Sequence, residues 1–506
     1  MRAAWAIRRP TLLAAPLAVP PLSLTELALL TAASLPAVAL PAAASPLPSF
    51  SSLRSVTALL LCAVRGVVCF CVLRLARRLQ KHRSQLVASE EQVAVEGSRF
   101  ARVFPGIVLH YLLAPASQPG PSDPPPLLMH FNHGFGANAL TFDPLFESLG
   151  SALAKRSPRT AVWFAAHDRV GFGLTSRPRE MIKYADEPAA AHGLRLLDMV
   201  EPLVTGPPPS PTQVGAEPQE PPPPGARAGR SRPPTVLVGH SLGGALSARM
   251  AVQLASADGD AHIKALVLIA PALITLGAAP AADPAAGAAE AARAPSALRA
   301  SCGRVLHVAG WPVRVLSRPV RRLGMWTCVS GVRLAVQCMI HSGRFWQRGL
   351  GMAYSSGGVP RDEMVARYRW AARVRDADRG VACFTLAQLG AAVGGAGRAR
   401  GGAAATRPRD QGNEPQEDFE EGLMANRPSD ATVVDELRRR GVPVLIIHGA
   451  DDAIVPPSNS RRLADRLGCR LVELPQCGHC PQEERPELVT SAILEFVQRE
   501  ASELLK

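Results

Sequence analysis

Residues 235–244 read Thr-Val-Leu-Val-Gly-His-Ser-Leu-Gly-Gly, and this stretch decides the fold. Its first four residues predict a buried strand, and the Ala-rich sequence after it predicts a helix. Between them lies G-x-S-x-G, with the serine at position 241. This motif forms a nucleophile elbow in a strand–turn–helix setting, where glycines on both sides of the serine remove side chains that would clash. The sequence therefore predicts that Ser241 is an exposed nucleophile at the carboxyl end of a sheet.

A second strand, near the end of the chain, is followed by two acidic residues. Residues 442–448 (Val-Pro-Val-Leu-Ile-Ile-His) predict a buried parallel strand, and Gly-Ala-Asp-Asp follows at 449–452. An aspartate there can hold the Nδ1–H of a histidine and stabilise the imidazolium formed during acyl transfer. Two aspartates compete for this role. Position within the loop favours Asp452, which leaves Asp451 solvated or bracing the turn.

A histidine completes the order serine, acid, histidine. Residues 470–474 predict a short strand, and the loop after it carries His479 next to a glycine and before a terminal helix. We therefore predict a triad in which Ser241 attacks, His479 is general base and then general acid, and Asp452 orients the imidazole.

A fourth element predicts the oxyanion hole. Residues 127–131 predict a strand, and the turn Asn-His-Gly-Phe-Gly-Ala-Asn follows at 132–138. Backbone N–H groups at such a turn, together with the N–H after the nucleophile, can stabilise a developing alkoxide. We assign these donors to Phe135 and Leu242. His133 is expected to pack beside the turn.

These motifs occur in the order seen in one large enzyme superfamily. They are HGFGAN at 133–138, HDRVGFGLTSRP at 167–178, GHSLGG at 239–244, HGADDAIVP at 448–456 and CGHCPQEERPE at 477–487. The chain resembles the α/β-hydrolase superfamily, in detail its single-domain esterase, proline iminopeptidase and epoxide-hydrolase branch, and is similar to a group of plant and algal plastid-directed members. The resemblance implies the α/β-hydrolase fold, a mostly parallel eight-stranded sheet with helices on both faces and an inserted helical cap.

One position departs from the family pattern. His167 stands where related sequences carry an apolar or aromatic residue, which is expected to affect packing alone. Asp168 and Arg169 after it are expected to be structural, as an ion pair that ties two loops.

The identity of the nucleophile predicts the reaction. Related enzymes that attack an alkyl carbon carry aspartate at the elbow, whereas Ser241 implies attack on a carbonyl carbon. The expected activity is hydrolysis of a carboxylic ester through an acyl-serine intermediate, without metal or cofactor, and lipid and pigment esters are the candidate substrates. Two alternatives stay open: a non-catalytic ligand-binding protein on the same fold, and an acyltransferase or perhydrolase with the same triad.

The 506 residues are more than one compact domain usually contains, and the additional residues fall in segments that the sequence identifies. We predict a targeting or anchor extension at 1–90, a first core part at 98–276 and a second at 431–506. Residues 205–234, rich in proline, predict a disordered surface insertion. Residues 277–430 predict a helical cap with low-complexity segments.

The cap region contains three apolar helical patterns, at 301–317, 324–341 and 362–389. A cap would shield the acyl-enzyme from water and shape the substrate pocket. Five aromatic side chains could line that pocket, although each is more often part of the layer's own core: Trp311, Trp326, Phe345, Trp346 and Trp370.

Most of the net charge of +14 lies in the first residues of the chain. Residues 1–83 hold ten Lys or Arg side chains and one acid, Glu26. This composition is typical of an organelle transit peptide and favours the chloroplast, with the mitochondrion as the alternative. Basic residues form no aromatic-studded motif, so no nucleic-acid partner is predicted.

An apolar run at 56–73 is long enough to span a membrane, but Arg65 interrupts it and basic residues follow it. A charge near the centre of a span costs about 3 kcal/mol, which weakens this interpretation without excluding it. Three interpretations of residues 56–83 stay open: a membrane anchor, part of a longer transit peptide, and an amphipathic segment that lies on a membrane surface. The oligomeric state stays open.

The ten cysteines form no disulfide pattern, which fits a reducing compartment. Cys477 and Cys480 flank the histidine as C-x-x-C, where they pack the loop or act as a redox switch.

Overall fold

The apolar stretches form the strands of one sheet in the computed structural model, whose description covers residues 88–116, 126–157, 160–206, 218–220, 232–257, 263–273, 332–333, 335–337, 339–355, 362–395 and 428–500. The strands are β1 (Ser98–Phe104), β2 (Ile107–Pro115), β3 (Leu127–Asn132), β4 (Val162–His167), β5 (Thr235–His240), β6 (Ile263–Ile269), β7 (Val444–Gly449) and β8 (Arg470–Leu474).

The helices alternate with these strands over most of the chain. They are α1 (Glu90–Val93), α2 (Asp143–Arg156), α3 (Asp186–Thr205), α4 (Leu242–Ala257), α5 (Gly343–Ala353), α6 (Asp362–Trp370), α7 (Ala377–Gly395), α8 (Asp430–Arg439), α9 (Pro457–Leu467), α10 (Pro481–Glu484) and α11 (Pro486–Glu500). Short 3₁₀ turns lie at Ala139–Phe142, Met181–Tyr184 and Ala371–Arg373.

The described strands form one eight-stranded sheet in the order β1-β2-β4-β3-β5-β6-β7-β8. β2 pairs antiparallel with β1 and β4, and every pairing from β4 onward to β8 is parallel. Parallel neighbours need crossover connections, which helices such as α2 and α4 supply. The predicted fold is therefore confirmed: a mostly parallel eight-stranded sheet with helices on both faces.

Both faces of the sheet are covered, which explains why its central strands read as continuous apolar runs. In β5, Val236 and Val238 pack in a cluster with side chains of α2 and α11. Leu237 points the other way and packs in a second cluster with α3, α4 and α8. All six residues of β5 are buried, so the strand that carries the elbow is held from both sides.

Helices α5, α6 and α7 lie between β6 and β7 in the chain, within the predicted cap region, and α8 follows them. The described residues between 332 and 341 are helical as well. The apolar pattern at 362–389 is observed as two helices, α6 and α7, separated by a 3₁₀ turn at Ala371–Arg373. Its carboxyl end was predicted too early, since α7 continues to Gly395. The pattern at 301–317, most of the pattern at 324–341, Trp311 and Trp326 lie outside the described residues.

Part of the Pro-rich insertion at 205–234 is attached to the sheet, which its composition did not predict. Gln219 forms an isolated parallel bridge with Ala101 of β1. Its side-chain oxygen accepts from the Tyr111 hydroxyl at 2.7 Å, and Glu220 pairs with Arg102 at 2.7 Å. At this point the insertion therefore continues the edge of the sheet beside β1. Residues 207–217 and 221–231 lie outside the described residues.

The amino-terminal extension lies outside the described residues up to position 87, and so does the apolar run at 56–73. Among the helices that are described, none combines the length and the apolar character that a membrane span requires.

Candidate active site

The turn after β5 is sharp, and its geometry explains both glycines of the motif. Ser241 has a φ of 54°, in the left-handed region that non-glycine residues rarely adopt. A Cβ at Gly239 would lie 2.3 Å from the Gly243 carbonyl oxygen, and one at Gly243 would lie 2.0 Å from the Asn132 carbonyl oxygen. Neither position can hold a side chain. The elbow therefore presents its serine in a strained backbone conformation of the kind found at functional sites.

Ser241, His479 and Asp452 lie in one hydrogen-bonded chain. Ser241 Oγ is 3.0 Å from His479 Nε2, and His479 Nδ1 is 2.7 Å from Asp452 Oδ2. All three residues are buried, so the prediction of an exposed Ser241 is wrong: the turn after β3 and the loop of His479 cover it. The three residues follow three different parallel strands, β5, β7 and β8. Because the carboxyl ends of parallel strands meet at one edge of the sheet, residues far apart in sequence converge there.

The acid is defined by its hydrogen-bond donors. Asp452 Oδ1 accepts from the backbone N–H groups of Ile454 and Val455 at 2.8 and 2.9 Å. Although burial opposes ionisation, hydrogen bonds from His448 and His479 hold the pKa of the Asp452 carboxyl well below its usual range. Asp451, the competing candidate, is exposed. The structure thus brings Asp452 rather than Asp451 to the imidazole.

The turn after β3 lies against the nucleophile. A Cβ at Gly134 would lie 3.0 Å from both Ser241 Cβ and His240 Nδ1. Leu242 is the first residue of α4, so its N–H is at the positive end of the helix dipole. In the described part of the chain, neither the Phe135 nor the Leu242 N–H donates to a protein acceptor. Phe135 directly follows Gly134 and Leu242 directly follows Ser241, so the two predicted oxyanion donors belong to the two turns that meet at the serine.

His133 has a structural environment. Its Nε2 accepts from the Arg169 backbone N–H at 3.0 Å, so its Nδ1–H donates to the Gly134 carbonyl oxygen at 2.8 Å. Burial lowers the pKa of the His133 imidazole and favours this neutral form. The imidazole thereby braces the turn, as the sequence led us to expect.

Asp168 and Arg169 are both buried, but their partners lie on other elements. Asp168 accepts from His110 Nδ1 at 2.7 Å and from the backbone N–H groups of Ala139 and Leu174. Arg169 pairs with Asp186 at 2.7 Å. The expected structural role is therefore carried by separate contacts rather than by one ion pair between the two residues.

Sequence reasoning missed two histidines that touch the candidate triad. His240 Nε2 lies 2.8 Å from the His479 carbonyl oxygen, to which it donates. Burial lowers the pKa of the His240 imidazole to about 3, so it stays neutral. His448 Nε2 lies 3.0 Å from Asp452 Oδ2. Both residues directly adjoin a motif glycine, and that adjacency is the signal that could have singled them out.

Helices α5 and α6 pack against the turn after β3. Ala137 forms a small apolar cluster with Leu350, Val365 and Tyr368. The Trp346 indole lies 3.6 Å from where a Cβ at Gly136 would be. These contacts place α5 and α6 next to the turn that carries the predicted oxyanion donor Phe135.

The aromatic residues predicted for a pocket divide into two groups. Trp346 lies beside the turn, and the Phe345 ring centroid is 5.5 Å from it. Trp370 is a core residue, fully buried, whose indole N–H donates to the Val93 carbonyl oxygen at 2.7 Å. A different aromatic group, not singled out in the sequence, adjoins Phe135: its ring centroid is 5.8 Å from Phe172 and 5.7 Å from Phe384.

The loop of His479 is tied to the end of α5 by two neighbouring glutamates. Tyr354 and Tyr368 donate their hydroxyls to Glu483 at 2.9 and 2.6 Å. Glu484 accepts from the backbone N–H groups of Ser355 and Gly478 at 2.9 and 3.0 Å. Burial raises the pKa of the Glu483 carboxyl to about 7, against the opposing effect of the two tyrosine hydrogen bonds.

Cys477 and Cys480 are both buried free thiols. Burial raises the pKa of Cys477 to about 12 and that of Cys480 well above its usual range. Since the thiolate is the reactive form, these surroundings give the redox-switch hypothesis no support. No three His, Cys, Asp or Glu side chains of the described residues group as a metal site requires.

Comparison with known proteins gives local matches to curated sequences. Over 60 residues the chain is 43% identical to a protein of Mycobacterium tuberculosis named as a non-heme bromoperoxidase, BpoC, covering 12% of this chain and 23% of that protein. Over 65 residues it is 40% identical to an uncharacterized hydrolase of Bacillus subtilis, YugF, covering 13% of this chain and 24% of that protein. The chain thus spans about a quarter of the length of these curated relatives.

Solved structures give broader but more distant matches. A thermophilic esterase from Thermogutta terrifontis is 17% identical, with a TM-score of 0.42, over 80% of this chain and 99% of that one. A bromoperoxidase from Bacillus anthracis is 14% identical, with a TM-score of 0.43, over 79% of this chain and 98% of that one. Similarity at this level carries no argument about activity.

The family assignment comes from a match over most of the chain. Residues 127–492 match the alpha/beta hydrolase family, a range that begins with β3 and ends within α11. It includes the elbow, the acid and the histidine. The chain therefore belongs to the alpha/beta hydrolase family.

Proposed function

We propose that the protein is a serine hydrolase that cleaves carboxylic esters through an acyl-serine intermediate. The observation that carries this proposal is the continuous hydrogen-bonded chain from Ser241 Oγ to His479 Nε2, 3.0 Å, and from His479 Nδ1 to Asp452 Oδ2, 2.7 Å. A nucleophile, a base and an orienting acid at these distances are the arrangement that acyl transfer needs.

In the acylation step, Ser241 Oγ bonds to the ester carbonyl carbon while its proton passes to His479 Nε2. The carbonyl oxygen becomes an oxyanion, and the unengaged N–H groups of Phe135 and Leu242 are the donors we propose for it. When the carbonyl reforms, the bond to the leaving oxygen breaks. The imidazolium then gives its proton to the departing alkoxide, and Asp452 remains ionised throughout.

In the deacylation step, water takes the place of the alcohol. His479 Nε2 removes a proton from the water as its oxygen bonds to the acyl carbon, and a second oxyanion forms at the same position. Collapse of this intermediate breaks the bond to Ser241 Oγ, which regains its proton from the imidazolium. The products are a carboxylic acid, an alcohol and the original enzyme.

The side chain beside the proposed oxyanion donors favours an apolar small-molecule ester. Phe135 is 53% exposed, which is unusual for a large aromatic residue next to a buried nucleophile. The rings of Phe172 and Phe384 are buried and pack against the Phe135 ring. An acyl or alcohol group of aromatic or aliphatic character would cover the exposed part of the ring.

A fluorophosphonate probe tests the proposed nucleophile. We expect the probe to label the wild-type protein at Ser241 and to leave Ser241→Ala unlabelled. Ser429→Ala is the control, because Ser429 caps α8, away from the elbow, and should label like the wild type. Labelling of Ser241→Ala at the wild-type rate would contradict the proposal. Hydrolysis of p-nitrophenyl esters from acetate to laurate then gives the preferred chain length.

The two alternatives make different predictions in the same assays. A ligand-binding protein that does not turn over would fail to release p-nitrophenol beyond one equivalent. An acyltransferase or perhydrolase would partition its acyl-serine toward an added alcohol or peroxide rather than water. Because one relative is named as a bromoperoxidase, hydrogen peroxide is the first acceptor to compare with water.

A further inference from the structure

His448 is the buried imidazole at the end of β7, four residues before the candidate acid. Its Nε2 lies 3.0 Å from Asp452 Oδ2, the same oxygen that lies 2.7 Å from His479 Nδ1. Asp452 Oδ2 therefore lies between two imidazoles. The reaction proposed above uses only one of them.

The surroundings of His448 determine which of its nitrogens carries hydrogen. Nε2 faces Asp452 Oδ2 and also the Val455 carbonyl oxygen, 2.9 Å away, and both of these groups can only accept. Nε2 must therefore be protonated. Nδ1 lies 2.6 Å from Ser460 Oγ, and a hydroxyl can either donate to it or accept from it. The Nε2–H is thus present in both the neutral and the charged imidazole.

The donors around Asp452 are distributed evenly over its two oxygens. Oδ1 accepts from the N–H groups of Ile454 and Val455. Oδ2 lies 2.7 Å from His479 Nδ1 and 3.0 Å from His448 Nε2, whose hydrogen it shares with the Val455 carbonyl oxygen. Rotation of the carboxylate about Cβ–Cγ would break hydrogen bonds on both sides. Loss of His448 would leave Oδ2 with the catalytic imidazole as its sole side-chain donor among these groups.

We infer that His448 is a positioning residue, which donates its Nε2–H to Asp452 Oδ2 and so fixes the carboxylate in the plane that His479 requires. This inference rests on the proposed function, since it assigns His448 a part in orienting the general base. Hydrogen bonds to ionised groups are among the stronger ones in proteins, so an additional donor at this place has a measurable effect.

The same hydrogen bond also adjusts the charge that His479 meets. A carboxylate that accepts an additional hydrogen bond is less basic and attracts the imidazolium form of His479 less strongly. Removing the donor should therefore stabilise that imidazolium and move the acidic limb of the rate profile to higher pH. Other titratable or charged groups near this cluster stay unchanged in the variants below: Glu473, its partner Arg461, His240, Asp451 and Cys477.

The test compares His448→Leu, which fills much of the space without a donor, with His448→Gln, which retains an N–H. The probes are p-nitrophenyl butyrate and a fluorophosphonate, each followed from pH 5 to pH 9 on the full chain. For His448→Leu we expect kcat/KM to fall about tenfold or more, chiefly through kcat, and the acidic limb to rise by about half a pH unit. For His448→Gln we expect most of the rate and the wild-type pH profile.

Equal losses in both variants, with an unchanged acidic limb, would mean that His448 only fills space, and would overturn the inference. A second readout does not need turnover. In protein labelled with ¹⁵N-histidine, the Nε2–H of His448 should give a downfield proton resonance that is missing in His448→Leu. If the wild type lacks that resonance, the inference is wrong. If instead the resonance is present but the fluorophosphonate fails to react, the proposed function is wrong and the positioning contact stands.

Discussion

At the scale of single residues, Asp451 and Asp452 show how little separates a surface residue from a site residue. They are adjacent in sequence and chemically identical, yet one is exposed and the other is buried with both oxygens engaged. The difference arises because the chain turns tightly after β7, where the backbone N–H groups of Ile454 and Val455 point back to a single carboxylate. The turn therefore selects the acid.

This difference can be measured with two matched variants. We expect Asp452→Asn to lower kcat for p-nitrophenyl butyrate by roughly 10⁴-fold, because an amide favours the wrong tautomer of His479. Asp451→Asn makes the same chemical change one residue earlier and should stay within about twofold of the wild type. A large loss in Asp451→Asn with an active Asp452→Asn would reverse the assignment.

At the scale of elements, one buried arginine forms ion pairs that join three helices on the same face of the sheet. Arg249 of α4 bonds to Glu187 of α3 at 2.8 Å and to Asp430 of α8 at 2.6 Å, and both Arg249 and Glu187 are buried. α4 is the helix that begins at the elbow. The ion pairs therefore help to fix the orientation of the helix that carries the Leu242 N–H.

Removing the arginine should be costly, since it leaves a buried carboxylate without its cation. We expect Arg249→Leu to lower the free energy of unfolding by about 3–5 kcal/mol in urea denaturation. Arg466→Ala is the control: Arg466 pairs with Asp435 at the surface, and loss of an exposed pair costs at most about 1 kcal/mol. Similar losses in the two variants would show that burial does not set the strength of these pairs.

The hydrogen bonds of Tyr354 and Tyr368 to Glu483 form a second link between elements, and the stability that this carboxyl contributes depends on pH. Burial raises the pKa of the Glu483 carboxyl from its usual 4.5 to about 7, so the folded protein holds this proton more tightly than the unfolded chain. Its contribution to stability is complete below pH 4.5 and is lost as the pH rises through about 7. A shift of this size corresponds to on the order of 3 kcal/mol.

The variant Glu483→Gln isolates this effect because glutamine does not titrate. We expect the wild type to lose stability relative to Glu483→Gln between pH 4.5 and pH 7.5, measured by urea denaturation at each pH. Buried histidines such as His130 and His192, whose pKa values are lowered by burial to about 4 and 3, titrate in both proteins and cancel in the difference. A difference that is constant with pH would contradict the prediction.

At the scale of the whole molecule, the sequence predicted most accurately what local rules dictate. The elbow, the strands on either side of it and the order of the triad follow from apolar runs and from glycines that backbone contacts require, as at Gly243. The attachment of Gln219 to β1 depends on contacts between distant segments, and so does the bridge from Val374, after the break between α6 and α7, to Ala88. The approach of His448 Nε2 to Asp452 Oδ2 depends on how tightly the chain turns between these two residues. No local pattern encodes which groups such contacts bring together, although the motif glycine next to His448 could have singled that residue out.

The amino-terminal extension supplies a prediction about the location of the whole protein. We propose that residues 1–90 direct the chain to the chloroplast, because their basic, nearly acid-free composition is typical of transit peptides. Fused to a fluorescent protein in algal or plant cells, these residues should carry it to the plastid, and a fusion of residues 91–506 should not arrive there. Arrival of the first fusion in mitochondria would support the alternative address.

The hydrogen bonds between the end of α5 and the His479 loop restrict how the proposed activity can be redesigned. Tyr354 and Ser355 are hydrogen-bonded to Glu483 and Glu484, on the short helix that follows the loop of His479. Under the proposed function, laboratory evolution toward bulkier esters by loosening α5 would therefore also displace His479, the proposed general base. To enlarge the space for the ester, substitution should instead begin at Phe384 on α7. Its ring packs against Phe135, and its apolar side chain cannot hydrogen-bond to the His479 loop.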